Sequence, residues 1–168
     1  MFGISETLDL VKLLDIPEGM AGRTLRWRVD YGREISGMQY DPYEPVDIRK
    51  LRVVDGRDIT YTFKFADRSL LESMRAAAGT DEILIVKDGC LTDASRANLV
   101  FIRAGRWYTP DTPLLAGTRR QSLIDRGQLL EQHIPLKNIR DYESLMLINA
   151  LRPPDRATAI PVTAIQTI

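Results

Sequence analysis

With 168 residues, 44% of them apolar and 27% charged, the chain has the length and balance of a globular domain able to bury a sizeable core. Lysine plus arginine and aspartate plus glutamate number 23 each, so there is no basic excess of the kind a nucleic-acid-backbone reader carries. One cysteine, Cys90, excludes an intramolecular disulfide and a cysteine-cluster metal site, and no apolar run reaches the roughly 18 residues of a membrane span.

Ser5 and Glu6 before Leu8, Leu10, Val11, Leu13 and Leu14 predict a capped helix ending ahead of Pro17. Thr24–Tyr31 alternates Leu25, Trp27 and Val29 with Arg26, Arg28 and Asp30, a strand with one wet face; Glu34–Tyr40 returns, and Pro42 and Pro45 break the pattern. Ile48–Val54 is the next strand. Asp55-Gly56 is a primed-turn hairpin signal with Asp58–Phe65 as the second arm. Asp67 is expected to cap a helix over Arg68–Ala78, stopped by Gly79-Thr80. Short strands follow at Glu82–Val86, Leu91–Thr92, Asn98–Arg103 and Trp107–Tyr108. A helix is expected over Gly117–Leu130 with Thr118 as its cap, then strands at Leu145–Ile148 and Ile160–Ile165. The whole reads as one mixed α/β unit, rich in antiparallel hairpins and poor in helices. Neither a dinucleotide-binding glycine pattern nor a phosphate-loop lysine motif is present.

Taken alone, Lys64 has a plain reading. Tyr61, Phe63 and Phe65 share one strand face, and Lys64 lies on the other, where a solvated lysine is the usual occupant. The functional reading is a Schiff-base lysine, which needs partial desolvation or a nearby cation so that its amine is neutral often enough to attack an aldehyde. Arg68 is the candidate cation. Asp93 by itself is a turn carboxylate. Gly117-Thr118-Arg119, opening a helix, is either a simple cap or a phosphate cradle, because a helix N-terminus offers unpaired N–H groups and a positive dipole end. No nucleophile motif surrounds any serine, and Cys90 lies in a turn, so a device using His133, the one histidine, is not expected.

In their order and spacing, Lys64-Phe65-Ala66-Asp67-Arg68, Gly89…Thr92-Asp93…Asn98, Gly117-Thr118-Arg119 and Asn149-Ala150-Leu151 resemble the class IV aminotransferases. These are fold-type IV enzymes that use pyridoxal 5'-phosphate (PLP) and include aminodeoxychorismate lyase. The resemblance covers the chain from about Thr24 onward. It implies an α/β fold of the α+β type, with a mixed-sheet, pseudo-barrel catalytic domain and few helices. Residues 1–50 would be the remnant of an N-terminal subdomain and 51–168 the PLP-binding catalytic domain.

By the same resemblance Lys64 is the PLP lysine and the acid/base for the substrate's Cα proton, and Arg68 stands in the lyase-type spelling beside it. Asp93 keeps the pyridine nitrogen protonated, where the family has a Glu one methylene longer. Asn98 satisfies backbone groups. Gly117 and Thr118 hold the phosphate, without the residue the family places between them. Asn149 and Ala150 offer N–H groups to the phosphate or to a substrate carboxylate; Arg26, Arg28 and Arg96 are the candidate arginines for that carboxylate. The implied function is transamination of amino acids through a Lys64 Schiff base. The alternative is release of pyruvate from 4-amino-4-deoxychorismate to give 4-aminobenzoate. The implied partners are an amino acid and keto acid, or aminodeoxychorismate, and a second copy of the chain in a homodimer, with no nucleic acid and no membrane. The first ten residues have no signal-peptide pattern, so a cytoplasmic location is expected. Residues 1–20 contain no His-x-x-Arg-Leu pattern, so the chain reads as N-terminally short for the family, with a truncated, inactive relative as a third reading.

Overall fold

The computed structural model describes residues 9, 11–59 and 67–167, in two compact units, 1–46 and 47–168. In the first unit, β1 (Leu25–Tyr31) and β2 (Ile35–Pro42) form an antiparallel hairpin with a bulge at Asp30/Tyr31. The alternation seen in the sequence survives: Leu25, Trp27 and Val29 are half-buried, and Arg26 and Arg28 are exposed. Trp27 stacks on its cross-strand partner Tyr40 with ring centroids 6.0 Å apart. Residues 5–8 and 10 of the expected opening helix lie outside the described residues; of the rest, 11–13 form a turn rather than a helix.

The second unit is built on a nine-stranded sheet. Its strands are β3 (Leu51–Asp55), β4 (Glu82–Lys87), β5 (Cys90–Ala94), β6 (Asn98–Arg103), β7 (Arg106–Pro110), β8 (Leu130–Gln132), β9 (Ser144–Ile148), β10 (Ile160–Pro161) and β11 (Ile165–Gln166). The main path runs β10-β9-β6-β5-β4-β3-β11, parallel at β11–β3–β4 and antiparallel elsewhere. β6 forks. One edge pairs with β9; the other meets β5 at Asn98 and β7 from Phe101 on, and β7 carries β8 in parallel.

Both faces of the central strands are covered, as their unbroken apolar runs require. From β6, Leu99 and Phe101 join one core cluster with Leu84, Leu91 and Leu147, while Val100 and Ile102 join another with Leu123, Leu129 and Met146. A third cluster packs Leu71 and Ala78 of helix α1 (Ser69–Ala78) on Ile83 and Ile85. This is the helix-poor, mixed-sheet α/β architecture that the sequence predicts. Among the described residues no helix is long and apolar enough to cross a membrane.

Four local expectations change. Asp55-Gly56 is not a primed hairpin turn: Gly56 does not adopt the positive φ that such a turn needs, and β3's described partners are β4 and β11, both parallel. Residues 60–65 of the expected second arm lie outside the described residues. α1 starts one residue late, with Arg68 at its N-cap, although Asp67 Oδ1 still accepts the Ser69 N–H at 2.9 Å. Helix α2 spans only Thr118–Asp125, capped by Gly117 rather than Thr118. Gly127, at φ 68°, ends that turn and releases Leu129 to the core and Leu130 to β8. Ile160–Ile165 is two short strands separated by a 3₁₀ turn at Val162–Ala164.

Gly56 has a packing role instead. A Cβ there would stand 2.3 Å from Ile85 Cγ2 and 3.1 Å from Ile59 Cδ1, while its N–H is tied to the Val86 carbonyl at 2.7 Å. Gly56→Ala is expected to cost about 1–3 kcal/mol, read as a lower urea midpoint. An unchanged midpoint would show that the backbone yields freely there.

Candidate active site

The hairpin joining β5 to β6 places Asp93 directly opposite Asn98, so the sequence spacing of five becomes a cross-strand pair. Both are buried, at 5% and 6% exposure. Asn98 Nδ2 donates to Asp93 Oδ1 at 2.7 Å and to the Leu115 carbonyl at 2.7 Å, while the Leu115 N–H donates to Asp93 Oδ2 at 3.0 Å. Asp93 and Asn98 thus grip the loop between β7 and α2 through both backbone polar groups of one residue, Leu115. Burial pushes the Asp93 carboxyl up to about 7, against the pull of the Leu115 N–H, the Asn98 amide, the Leu114 N–H and the charge of Arg120.

That loop ends at Gly117, in an ordinary extended conformation (φ −68°, ψ 146°). Its lack of a side chain matters for another reason: a Cβ would lie 2.2 Å from Asn98 Oδ1. No side chain caps α2, so its first-turn N–H groups have no side-chain acceptor. Thr118 is exposed at this end.

Arg119 reaches from the same turn to the loop after β9, donating to the carbonyls of Asn149 (3.3 Å) and Ala150 (2.8 Å). Asn149 is occupied within its own turn. Its N–H donates to the Arg152 carbonyl at 3.0 Å, its Oδ1 accepts from Leu151 and Arg152, and its Nδ2 donates to the Arg96 carbonyl at 3.1 Å. Of the two N–H groups expected here for an anion, that of Asn149 is therefore spent, and only that of Ala150 has no partner among the described residues.

Arg68 Nη2 donates to the carbonyl of Ser95, in the turn between Asp93 and Asn98, which ties the start of α1 to this cluster. Buried Glu82 holds the turn from beneath, accepting the N–H of Ser95 at 3.2 Å and of Ile83 at 2.8 Å. Lys64 lies outside the described residues. The other seven expected positions, Arg68, Asp93, Asn98, Gly117, Thr118, Asn149 and Ala150, fall on four segments joined by these bonds: the start of α1, the β5–β6 hairpin, the start of α2 and the turn after β9. Of the arginines considered for a carboxylate, Arg26 pairs with Asp41 (2.9 Å), Arg28 with Asp30 (2.9 Å) and Arg96 with Glu72 (3.1 Å).

Two supporting residues were not legible as such. Arg119 was visible only as part of the turn motif. Arg120, 2% exposed, clamps α2 to β7 and β8 through the Pro110 carbonyl (2.8 Å) and Glu131 (2.6 Å). Its one signal is its place three residues before Leu123, on the buried face of α2.

The amino-transferase class IV family model matches residues 41–165. An uncharacterized protein of Haemophilus influenzae is 38% identical over 144 residues, 85% of this chain and 77% of its own length. A crystal structure from Haemophilus somnus, of a candidate 4-amino-4-deoxychorismate lyase, superposes with a TM-score of 0.80 at 33% identity, over 89% of this chain and 79% of that one. A candidate aminodeoxychorismate lyase of Schizosaccharomyces pombe is 34% identical over 77 residues, 43% of this chain and 33% of that protein. With the family match spanning most of its length and the same mixed sheet beneath the site, the chain belongs to the class IV aminotransferase family.

Proposed function

We propose that the chain is a PLP-dependent enzyme that holds its cofactor through Lys64 and releases pyruvate from 4-amino-4-deoxychorismate. The observation that carries the cofactor reading is Asp93: a buried carboxylate with no ion-pair partner among the described residues, bonded into the loop that presents an uncapped helix N-terminus. The preference for this reaction over transamination, which the family resemblance implied first, rests on the two lyase-described relatives at 33% and 34% identity, in line with the lyase-type spelling at Arg68.

The residues present fit the group. Three N–H donors leave the two carboxylate oxygens of Asp93 with spare lone-pair capacity, and a cationic N–H partner would offset the cost of its burial. Exposure rises from buried Asp93 and Asn98 through half-buried Gly117 and Asn149 to exposed Thr118 and Ala150, as suits a ring held deep and a phosphate held nearer solvent. When bound, PLP supplies an electron sink for negative charge at the carbon beside the amine. Lys64 would bind the cofactor's aldehyde carbon and move the proton at the substrate Cα. Asp93 would keep a proton on the ring nitrogen. The first-turn N–H groups of α2 and the Thr118 hydroxyl would hold the phosphate, and the Ala150 N–H would take the phosphate or a substrate carboxylate. Arg68, Asn98 and Asn149 would position these donors. In this reading residues 51–168 carry the cofactor, residues 1–50 belong to the N-terminal subdomain, and the protein is a homodimer.

The test is the visible spectrum of protein mixed with PLP and desalted, followed by borohydride reduction, peptide mass mapping and product assays. The reading expects a retained band, a reduced adduct on Lys64 that is missing from Lys64→Ala, and 4-aminobenzoate with pyruvate from 4-amino-4-deoxychorismate. Keto acids from amino acids without 4-aminobenzoate would replace it with transamination. Folded protein that retains no PLP would overturn the enzyme reading.

A further inference from the structure

We propose that Cys90 is a modification site, a thiol that exchanges with low-molecular-weight disulfides, with His133 taking its proton and Asp111 holding His133 in place. Cys90 Sγ lies 3.2 Å from His133 Nε2, and His133 Nδ1 lies 3.4 Å from Asp111 Oδ1. The residues are 21 and 22 positions apart in the chain, so no local motif announces them.

Backbone pairing holds all three. Cys90 opens β5 after a tight turn in which Asp88 (φ 51°) and Gly89 (φ 76°) are both left-handed. Cys90 bridges Pro135, the Leu91 N–H donates to the Ile134 carbonyl at 2.9 Å, and the Leu136 N–H to the Gly89 carbonyl at 2.9 Å. These bonds set His133 beside Cys90. The parallel pairing of β7 with β8 continues into the bond from the Asp111 N–H to the Gln132 carbonyl at 3.1 Å, which sets Asp111 beside His133. The line thus stands on ordered backbone rather than on a chance meeting of mobile side chains.

The chemistry follows from the order of the groups. In the tautomer that carries its proton on Nδ1, the side facing Asp111 at 3.4 Å, the imidazole presents a lone pair at Nε2 to the thiol, and Asp111 offsets the charge once Nε2 is protonated. The thiol proton passes to Nε2, and the sulfur attacks one sulfur of a small disulfide. A new S–S bond forms at Cys90, the old one breaks, and the leaving thiolate takes up the proton from His133. Cys90 and one sulfur of the reagent end oxidised as the mixed disulfide, and the other sulfur leaves as a thiol, so electrons balance within the disulfide supplied. Cys90 is the chain's single cysteine, so no second thiol of the same chain can resolve the adduct; it persists until an external thiol removes it. Cys90 is half-buried and His133 is exposed, so a small reagent has access.

With one cysteine, every thiol event reports on this site. Intact protein is treated with glutathione disulfide and read by mass spectrometry, and iodoacetamide rates are compared at pH 7 for the wild type, His133→Gln and Asp111→Asn. The proposal expects one glutathione adduct per chain, reversible by dithiothreitol. It expects an alkylation rate lower by roughly tenfold or more in His133→Gln and by a smaller factor in Asp111→Asn. At about pH 9.5, where an unassisted thiol is ionised anyway, the three rates should converge. Equal rates at pH 7, a deficit that persists at pH 9.5, or wild-type protein that takes no glutathione would each overturn it.

Discussion

Replacing Asp93 by Asn should change both the stability of the apoprotein and its pH dependence. The folded carboxyl is pushed up to about 7 by burial, and an unfolded aspartate sits near 3.9. Between those values the native protein keeps a proton that the unfolded chain has released. The contribution of this group to stability is therefore complete below about pH 4 and is lost as pH rises through 7. The loss amounts to at most about 4 kcal/mol for a gap of roughly three pH units. The carboxylates of half-buried Asp41 and exposed Asp55, Asp67 and Asp81 are held below the usual range by Arg26, by Arg57, by the Ser69 N–H and by the Arg49 and Lys50 N–H groups, so their contributions are complete above about pH 5.

Urea unfolding of the apoprotein between pH 5 and 8 should therefore show the wild-type midpoint falling and the Asn variant's staying level. At pH 5 the variant should be weaker by about 1–3 kcal/mol, because Asn can accept the Leu115 N–H but not also the Asn98 amide. Asn98 cannot turn over to compensate, since its Nδ2 also serves the Leu115 carbonyl. By pH 8 the gap should close or reverse. Identical pH profiles would remove Asp93 as the titrating group. In the PLP reading the same substitution should also lower turnover by on the order of 10²–10³, the usual cost of removing a placed electrostatic partner.

Gly117→Ala should be the most disruptive single methyl in the candidate site. Its Cβ would come within 2.2 Å of Asn98 Oδ1. That oxygen belongs to an amide locked at Nδ2 by two bonds of 2.7 Å, so the clash cannot be relieved by a rotamer change. The expected cost is about 1–3 kcal/mol together with a displaced start of α2. A double-mutant cycle checks the cause: in an Asn98→Ala background the same change should be nearly neutral, and additive losses would assign the effect elsewhere. In the PLP reading, cofactor retention should also fall in Gly117→Ala and recover in part in the double variant, because that reading takes its phosphate donors from this turn.

Strands, hairpins and the general architecture were legible because apolar alternation and short apolar runs are local signals. The β1–β2 hairpin and the buried β4, β6 and β9 follow from them directly. Legibility failed where one residue type serves two purposes. Asp55-Gly56 looks like a hairpin turn, yet Gly56 is small because Ile85 is close, a fact set by packing between parallel strands. The length of α2 was overestimated because Leu129 and Leu130 continue an apolar pattern that Gly127 has already cut.

At the site, the order Asp93, Asn98, Gly117, Thr118, Asn149 was readable as a resemblance, but the function of each contact was not. Only the folded chain shows that Asn98 joins Asp93 to Leu115, that Arg119 ties α2 to the Asn149 turn, and that Asn149 has spent its own N–H. The chain by itself determined most element types and the buried strands, because these depend on apolar spacing along the backbone, and it carried the motifs on which the family resemblance rests. The tertiary structure decided which polar groups meet: the Asp93–Asn98–Leu115 grip, the Arg120 clamp and the Cys90–His133–Asp111 line. Such contacts join residues whose separation carries no periodic signal, and they arise only when strand pairing brings distant loops to within a hydrogen bond of one another.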